Sequence, residues 1–313
     1  MKKGFIVYIG VLFGLLVSIN LIERKYGFDS SVTDSKDLWS LWRDQIEKDA
    51  ILVLGDSHTQ LDLDLETLES EFQKEVIQLS IDGTDPWWFL KENYKKLKNK
   101  LVILAASQSM LNNFNSEGGR SYEEFYKEKF NLDRKINTWI WAWLQNEFAV
   151  FNEFLSLRSI VERTANNESW YLVTKKTRER NADYNLLDKD KIRKKKHDSL
   201  KKAFDTIVVI DEKERIARLG FVNAILQDMK DNKCKIILLN TPLDGIYDEK
   251  EKELFPRNLW WDKIGENNRS VIKIHYDDDE IFKNIKPAEF SHLDKRDKKT
   301  YTKRVCELVI NAF

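Results

Sequence analysis

Residues 51–60 read ILVLGDSHTQ, and the turn that closes this apolar run governs how the rest of the chain is read. Four consecutive apolar residues ended by a glycine fit a short strand buried on both faces. Gly55 permits a sharp bend, and the two residues after it have two readings. In the first, Asp56 or Ser57 caps the next helix, as such residues do in many turns. In the second, Ser57 is a nucleophile displayed at the carboxyl end of a strand, where open parallel sheets bind their ligands.

The surrounding sequence repeats a strand–helix rhythm. AILVLG (50–55) reads as the first strand, and DLETLESEF (64–72) has the helical spacing of Leu65, Leu68 and Phe72. EVIQLSI (75–81) is a second strand that ends in a turn at Asp82 and Gly83, and the helix WWFLKENYKKLKN (87–99) leads to a third strand, KLVILAAS (100–107). Further on come an amphipathic helix (213–232), a fourth strand (234–242) and a fifth (271–279). A closing helix from Lys295 carries Tyr301, Val305 and Leu308 on one face. Short apolar runs alternating with helices imply an α/β fold with a mainly parallel sheet covered on both faces.

Residues from about 112 to 210 break the rhythm and read as a helical insertion. It holds the aromatic stretch TWIWAWLQNEFAVFNEFLSLRSIV (138–161) and the basic run DKDKIRKKKHDSLKKAF (188–204). One expectation is a cap packing Trp139, Trp143 and Phe154 onto the sheet, with a solvated basic helix behind it. The other is a lid, or a surface facing lipid headgroups, since Trp with Lys and Arg favours membrane interfaces.

Ahead of all this, after Met1-Lys2-Lys3, residues 4–22 (GFIVYIGVLFGLLVSINLI) carry no charge. About 20 apolar residues cross a bilayer as a helix. The adjoining Glu23-Arg24-Lys25-Tyr26 has no small-residue cleavage site, which favours an uncleaved anchor over a signal peptide. Lys2 and Lys3 would hold the amino terminus in the cytoplasm and place the domain outside it, although Arg24 and Lys25 on the far flank oppose that bias. The expected organisation is an anchor at 1–25, a stalk at 26–49 that is helical near DLWSLWRDQIEK, and a domain at 50–313.

Composition narrows the partners. Of the 313 residues 42% are hydrophobic, enough for a large core, and Lys+Arg equals Asp+Glu at 52 each, so no global field collects nucleic acid. Cys234 and Cys306, the only cysteines, are too few for a disulfide scaffold or a metal site and read as buried thiols. Neither a Gly-rich dinucleotide loop nor a phosphate loop occurs, and no cofactor or metal is expected.

The loops at the carboxyl ends of the strands supply Asp56, Ser57 and His58, then Ser80, Asp82 and Gly83, then Ser107, Gln108 and Ser109. PAEFSHLDKRD (287–297) places His292 just before the last helix. Gly55-Asp56-Ser57-His58 near the start of the domain and Glu289-Phe290-Ser291-His292-Leu293 near its end resemble the first and last blocks of the SGNH, or GDSL-type, hydrolase superfamily. The resemblance implies a flavodoxin-like three-layer α/β/α fold with Ser57 as nucleophile and His292 as its base. Where the superfamily has an Asp three residues before the His, this chain has Glu289; Asp294 is the other acid near the base. For the oxyanion, the resemblance implies the Ser57 amide, Gly83 and a donor after the third strand, for which Ser107, Gln108, Ser109 and Asn112 are the candidates. His58 is expected to be structural or to face substrate, His197 to be solvated, and His275 to lie in the core or at the sheet edge.

With its amino-terminal anchor, the chain is most similar to cell-envelope acyl-transfer proteins such as DltD and the alginate acetylation proteins. That likeness implies an esterase or O-acyltransferase acting on acylated envelope or secreted glycans, with a multi-pass membrane acyltransferase as partner. A catalytically silent scaffold of the same fold, binding glycan or membrane partners, is the alternative that Glu289 and the altered third loop raise.

Overall fold

The computed structural model describes residues 2–165 and 169–312. Its centre is a five-stranded sheet. In chain order the strands are β1 (Ile51–Leu54), β2 (Val76–Gln78) and β3 (Leu101–Ala105), then a separate antiparallel hairpin of β4 (Leu172–Thr174) and β5 (Arg180–Ala182), then β6 (Lys235–Asn240) and β7 (Val271–His275). The main sheet runs β2-β1-β3-β6-β7 with every pairing parallel. Apolar residues on both sides of each strand explain this, because a parallel sheet with crossover helices is covered on both faces. Leu52, Leu54, Val102, Leu104, Ile236 and Leu238 pack into one core layer. Ile51, Val53, Ile103, Ile237 and Leu239 pack into the other.

The first layer is filled by Trp87, Phe89 and Leu90 of the helix Trp87–Asn93 and by Val222, Ile225, Leu226 and Met229 of the helix Glu212–Asp231. The second is filled by Leu65 and Leu68 of the helix Leu65–Phe72 and by Tyr301, Val305 and Val309 of the closing helix Lys295–Ala312. Cys234 and Cys306 are free and buried. The helix after β2 is shorter than its sequence suggests: it gives way at Tyr94 to a turn of 3-10 helix. Asn93 sits at that junction, its amide bonded back to the Phe89 carbonyl and its Oδ1 taken by Arg43.

Two expectations require correction. Residues 26–49 do not form a stalk. Trp39, on the helix Lys36–Arg43, is fully buried in the first core layer and donates its indole N–H to the Leu79 carbonyl at 3.0 Å. Nor do Trp139, Trp143 and Phe154 cap the sheet, since they are 63%, 48% and 53% exposed. The aromatic stretch divides into a helix (Leu132–Glu147), two short 3-10 turns and a second helix (Leu157–Ala165). Thr138 and Ala142, small residues beside the tryptophans in sequence, form the buried face. The side chain of Asn152 caps the second of the two 3-10 turns through the Phe154 amide and bonds the Ser31 carbonyl.

At the amino terminus, Lys2–Lys25 is one helix, and from Gly4 onward it is long and apolar enough to cross a membrane.

Candidate active site

The turn after β1 is built around Gly55. Its φ is +137°, and a Cβ there would lie 2.9 Å from the Ala105 Cβ and 3.2 Å from the Ala105 amide nitrogen. Only glycine fits a backbone that bends this way against the end of β3. Asp56 then caps the short helix Ser57–Asp62, accepting the His58 amide at 2.9 Å. Asp56 is therefore the cap, and Ser57 is the first residue of the helix, just beyond the carboxyl end of β1.

The segment from Pro287 to His292 brings the far end of the chain to this turn. Phe290 has φ +76°, a left-handed conformation rare for an aromatic residue. Its carbonyl accepts the Asp244 amide at 3.0 Å, and its ring lies where a Cβ on Gly245 would be, within 2.8 Å. The Ala288 amide closes the loop onto the His292 carbonyl at 3.1 Å. This bend puts Glu289 and His292 side by side. His292 Nε2 lies 3.0 Å from Ser57 Oγ, and His292 Nδ1 bonds Glu289 Oε1.

Glu289 is buried, and burial alone would raise its pKa. The hydrogen bond and charge of His292, together with Lys196 at 3.0 Å from Oε2, outweigh that and hold the carboxyl at about 2. Ser291 Oγ also donates to Oε1 at 3.0 Å. Glu289 is therefore a carboxylate throughout the physiological range, which keeps the imidazole proton on Nδ1 and leaves Nε2 free to accept from Ser57. Asp294 plays no part in this line, because its oxygens take the Arg296 guanidinium and the Tyr184 amide.

Four residues at the site had escaped the sequence reading. Asp62, at the end of the Ser57 helix, accepts the Leu293 amide at 2.8 Å and so ties the His292 loop to the Ser57 helix. Its burial pushes its pKa up to about 6 against the opposing charges of His58 and His292. Lys196 and Arg193 come from the helix Lys189–Thr206. Arg193 donates to the Pro287 and Ala288 carbonyls and to Asp244 Oδ2, with its guanidinium 4.1 Å from the Phe290 ring centre. Glu251, on the helix Gly245–Leu254, accepts the Ser109 amide at 2.8 Å. A run of lysines carries no signal that one of them turns inward, and long-range carboxylate contacts leave no local spacing to read.

Of the remaining candidates, His58 holds Asp56 at 3.0 Å, and its ring centre is 5.0 Å from that of His292. Burial would lower its pKa, but Asp56 foremost, with Asp62 and Glu289, raises it to about 9, so His58 is a cation beside the site. Gly83, with φ +67°, faces a cleft of about 260 Å³ together with Asp56, Ser109 and Asn113. Leu200 and Phe204 of the basic helix form its apolar wall. Gln108 is not in that cleft; it is buried, and its Oε1 accepts the Asn240 amide at 2.6 Å. Asn112 is likewise committed, to the Val208 carbonyl and the Ile210 amide. Ser107 caps the Met110 amide, and Ser80 contacts Thr59. His197 is exposed, and His275 is buried at the end of the edge strand β7. Among the described residues no group of three or more His, Cys, Asp or Glu is arranged to hold a metal ion.

Glu251 gives a pH-dependent prediction. Burial raises its pKa from 4.5 to about 7, and its Oε2 has no hydrogen-bond partner among the described residues. A buried acid with a raised value makes the folded state hold its proton longer than the unfolded chain, so stability falls as pH climbs from 4.5 to about 7. Glu251→Gln is therefore expected to stabilise the protein by about 1–3 kcal/mol in urea unfolding above that range and to add nothing below it. Equal effects on both sides of the range would contradict the assignment.

Fold and site together define an α/β protein with a hydroxyl, an imidazole and a carboxylate hydrogen-bonded in series at the carboxyl end of a parallel sheet. No family model and no curated protein matches the chain.

Proposed function

We propose that the chain is a membrane-anchored SGNH-like serine esterase or O-acyltransferase acting on acyl, in the first place acetyl, esters of cell-envelope or secreted glycans. The observation that carries this reading is the Ser57 Oγ–His292 Nε2 distance of 3.0 Å, with Glu289 on the other imidazole nitrogen. The sheet order supports the fold part: with the main-sheet strands numbered in chain order it runs 2-1-3-4-5, as in flavodoxin-like sheets. The apolar amino-terminal helix supports the anchor, with the domain on the extracytoplasmic side and a multi-pass membrane acyltransferase as the source of acyl groups.

In this mechanism Ser57 Oγ attacks the ester carbonyl carbon while its proton passes to His292 Nε2. Glu289, ionised, stabilises the imidazolium that forms. The tetrahedral oxyanion is held by the Ser57 and Gly83 amides and a donor from the third loop, for which Ser109 and Asn113 face the cleft. Collapse breaks the ester C–O bond, and His292 returns the proton to the leaving sugar hydroxyl. Water in an esterase, or a second hydroxyl in a transferase, then gives its proton to His292 as it attacks the acyl-serine, and Ser57 is regenerated.

One observation favours the second reading, a silent scaffold: the carboxamides nearest β3, Gln108 and Asn112, are both committed elsewhere. A serine-directed fluorophosphonate separates the two. The esterase reading expects stoichiometric labelling of the full chain in detergent, with the adduct on the Ser57 peptide. The scaffold reading expects no adduct at a concentration that labels a control serine esterase completely.

A further inference from the structure

The helix Leu132–Glu147 is inside out. Leu132, Ile136, Trp139, Ile140 and Trp143 recur at spacings of three and four and so share one stripe. Every one of them is exposed, Leu132 by 69% and Trp139 by 63%. The opposite face holds Thr138 and Ala142, the latter packed with Val32 and Leu38. A soluble domain buries such a stripe, and a contiguous exposed one marks a surface with a partner.

The end of this helix identifies the partner. The carbonyl of Glu147 accepts the Asn20 side-chain amide at 3.0 Å, and Phe148 packs edge-on against Phe13 with ring centres 6.4 Å apart. The Ala149 amide donates back to Asn20 Oδ1. Phe13 and Asn20 both belong to the helix that is apolar enough to cross a membrane, and they lie two turns, or about 10 Å, apart along its axis. Leu16, Val17 and Ile19 between them are half-buried against the domain. If that helix crosses the bilayer, the end of Leu132–Glu147 is already below the membrane surface.

We infer that the stripe Leu132, Ile136, Trp139, Ile140 and Trp143 is a membrane-docking face, seated in the leaflet into which the domain's own anchor inserts. Two tryptophans on an apolar face suit that layer, where an aromatic ring is half in hydrocarbon and half in water. The docking fixes the domain by two elements rather than a single tether. The inference rests on the membrane-crossing reading of the amino-terminal helix and is independent of the serine chemistry.

The test uses the full chain in vesicles of phosphatidylcholine and phosphatidylglycerol, with one nitroxide at a time on Ile136→Cys, Ile140→Cys, Leu15→Cys and Ile310→Cys. The four sites are exposed, whereas the native Cys234 and Cys306 are buried, so labelling is selective and leaves the core intact. Collision with oxygen and with a water-soluble nickel chelate reports depth. Labels at 136 and 140 are expected about 5–10 Å below the lipid phosphates, Leu15 deeper still, and Ile310 in water. Nickel access at 136 and 140 equal to that at 310, with Leu15 in lipid, would overturn the docking face alone. If Leu15 is also open to nickel, the membrane-crossing reading falls with it. Labels at 136 and 140 closed to both oxygen and nickel would mean that a second copy of the chain covers the stripe, which also overturns the inference.

Discussion

Ser57→Ala and His292→Ala are each expected to lower turnover of a chromogenic acetyl ester by about 10⁴–10⁶. The size reflects how the groups are coupled. Ser57 is a poor nucleophile without a base, and His292 has no proton to take without Ser57, so either loss disables the same step. The double variant is therefore expected to be no slower than the worse single one. Ser57→Ala removes one partly buried hydroxyl, so its circular dichroism and urea midpoint should match the parent. His292→Ala should keep the parent circular dichroism but lower the midpoint, because the buried Glu289 carboxylate loses its main partner. A fall of less than tenfold in either variant would remove that residue from the mechanism.

Arg43→Ala is expected to cost about 3–5 kcal/mol of stability, read from urea unfolding of the full chain in detergent. The guanidinium is buried and forks onto both oxygens of Glu123, each at 2.7 Å, with Asn93 Oδ1 at 2.6 Å. It also lies over the Tyr126 ring, 4.8 Å from its centre. Removing it leaves the buried Glu123 carboxylate with only the exposed Lys127, 3.9 Å away, which costs more than the pair itself contributes. Arg43→Met combined with Glu123→Leu should recover much of the loss, because the uncompensated charge is then gone. The result also decides how residues 26–49 behave. If they were a loose stalk, Arg43→Ala would change stability by less than about 0.5 kcal/mol, as surface substitutions do.

The sheet was legible because its signal is local. β1, β3 and β6 are short apolar runs, and together with β7, which carries Lys273 at its centre, they fall where the sequence places strands. The pairing of Ser57 with His292 was legible for a topological reason: in a parallel sheet both lie at carboxyl-end positions, whatever their separation in the chain. What the sequence hid is long-range and polar. Trp39 reads as one aromatic in a polar segment until β2 supplies the Leu79 carbonyl that its indole meets. Asp62 and Lys196 look like ordinary surface charges, and only the folded segment at 287–293 gives them the Leu293 amide and Glu289 as partners. The hairpin β4–β5 was missed because strands of three residues, with Arg, Asn and Thr among them, have no usable alternation. The aromatic helix left two coverings open, the sheet or lipid, for a different reason. Periodicity identifies an apolar face correctly but does not say whether protein or lipid covers it.

The most direct test of the central claim is mass spectrometry of the full chain, quenched within the first turnovers on an acetyl ester. The mechanism predicts one acetyl group on the peptide carrying Ser57, absent from Ser57→Ala and chased away by an added sugar acceptor or by water. Ester turnover with no acetyl on Ser57, or with the acetyl on another residue, would contradict it.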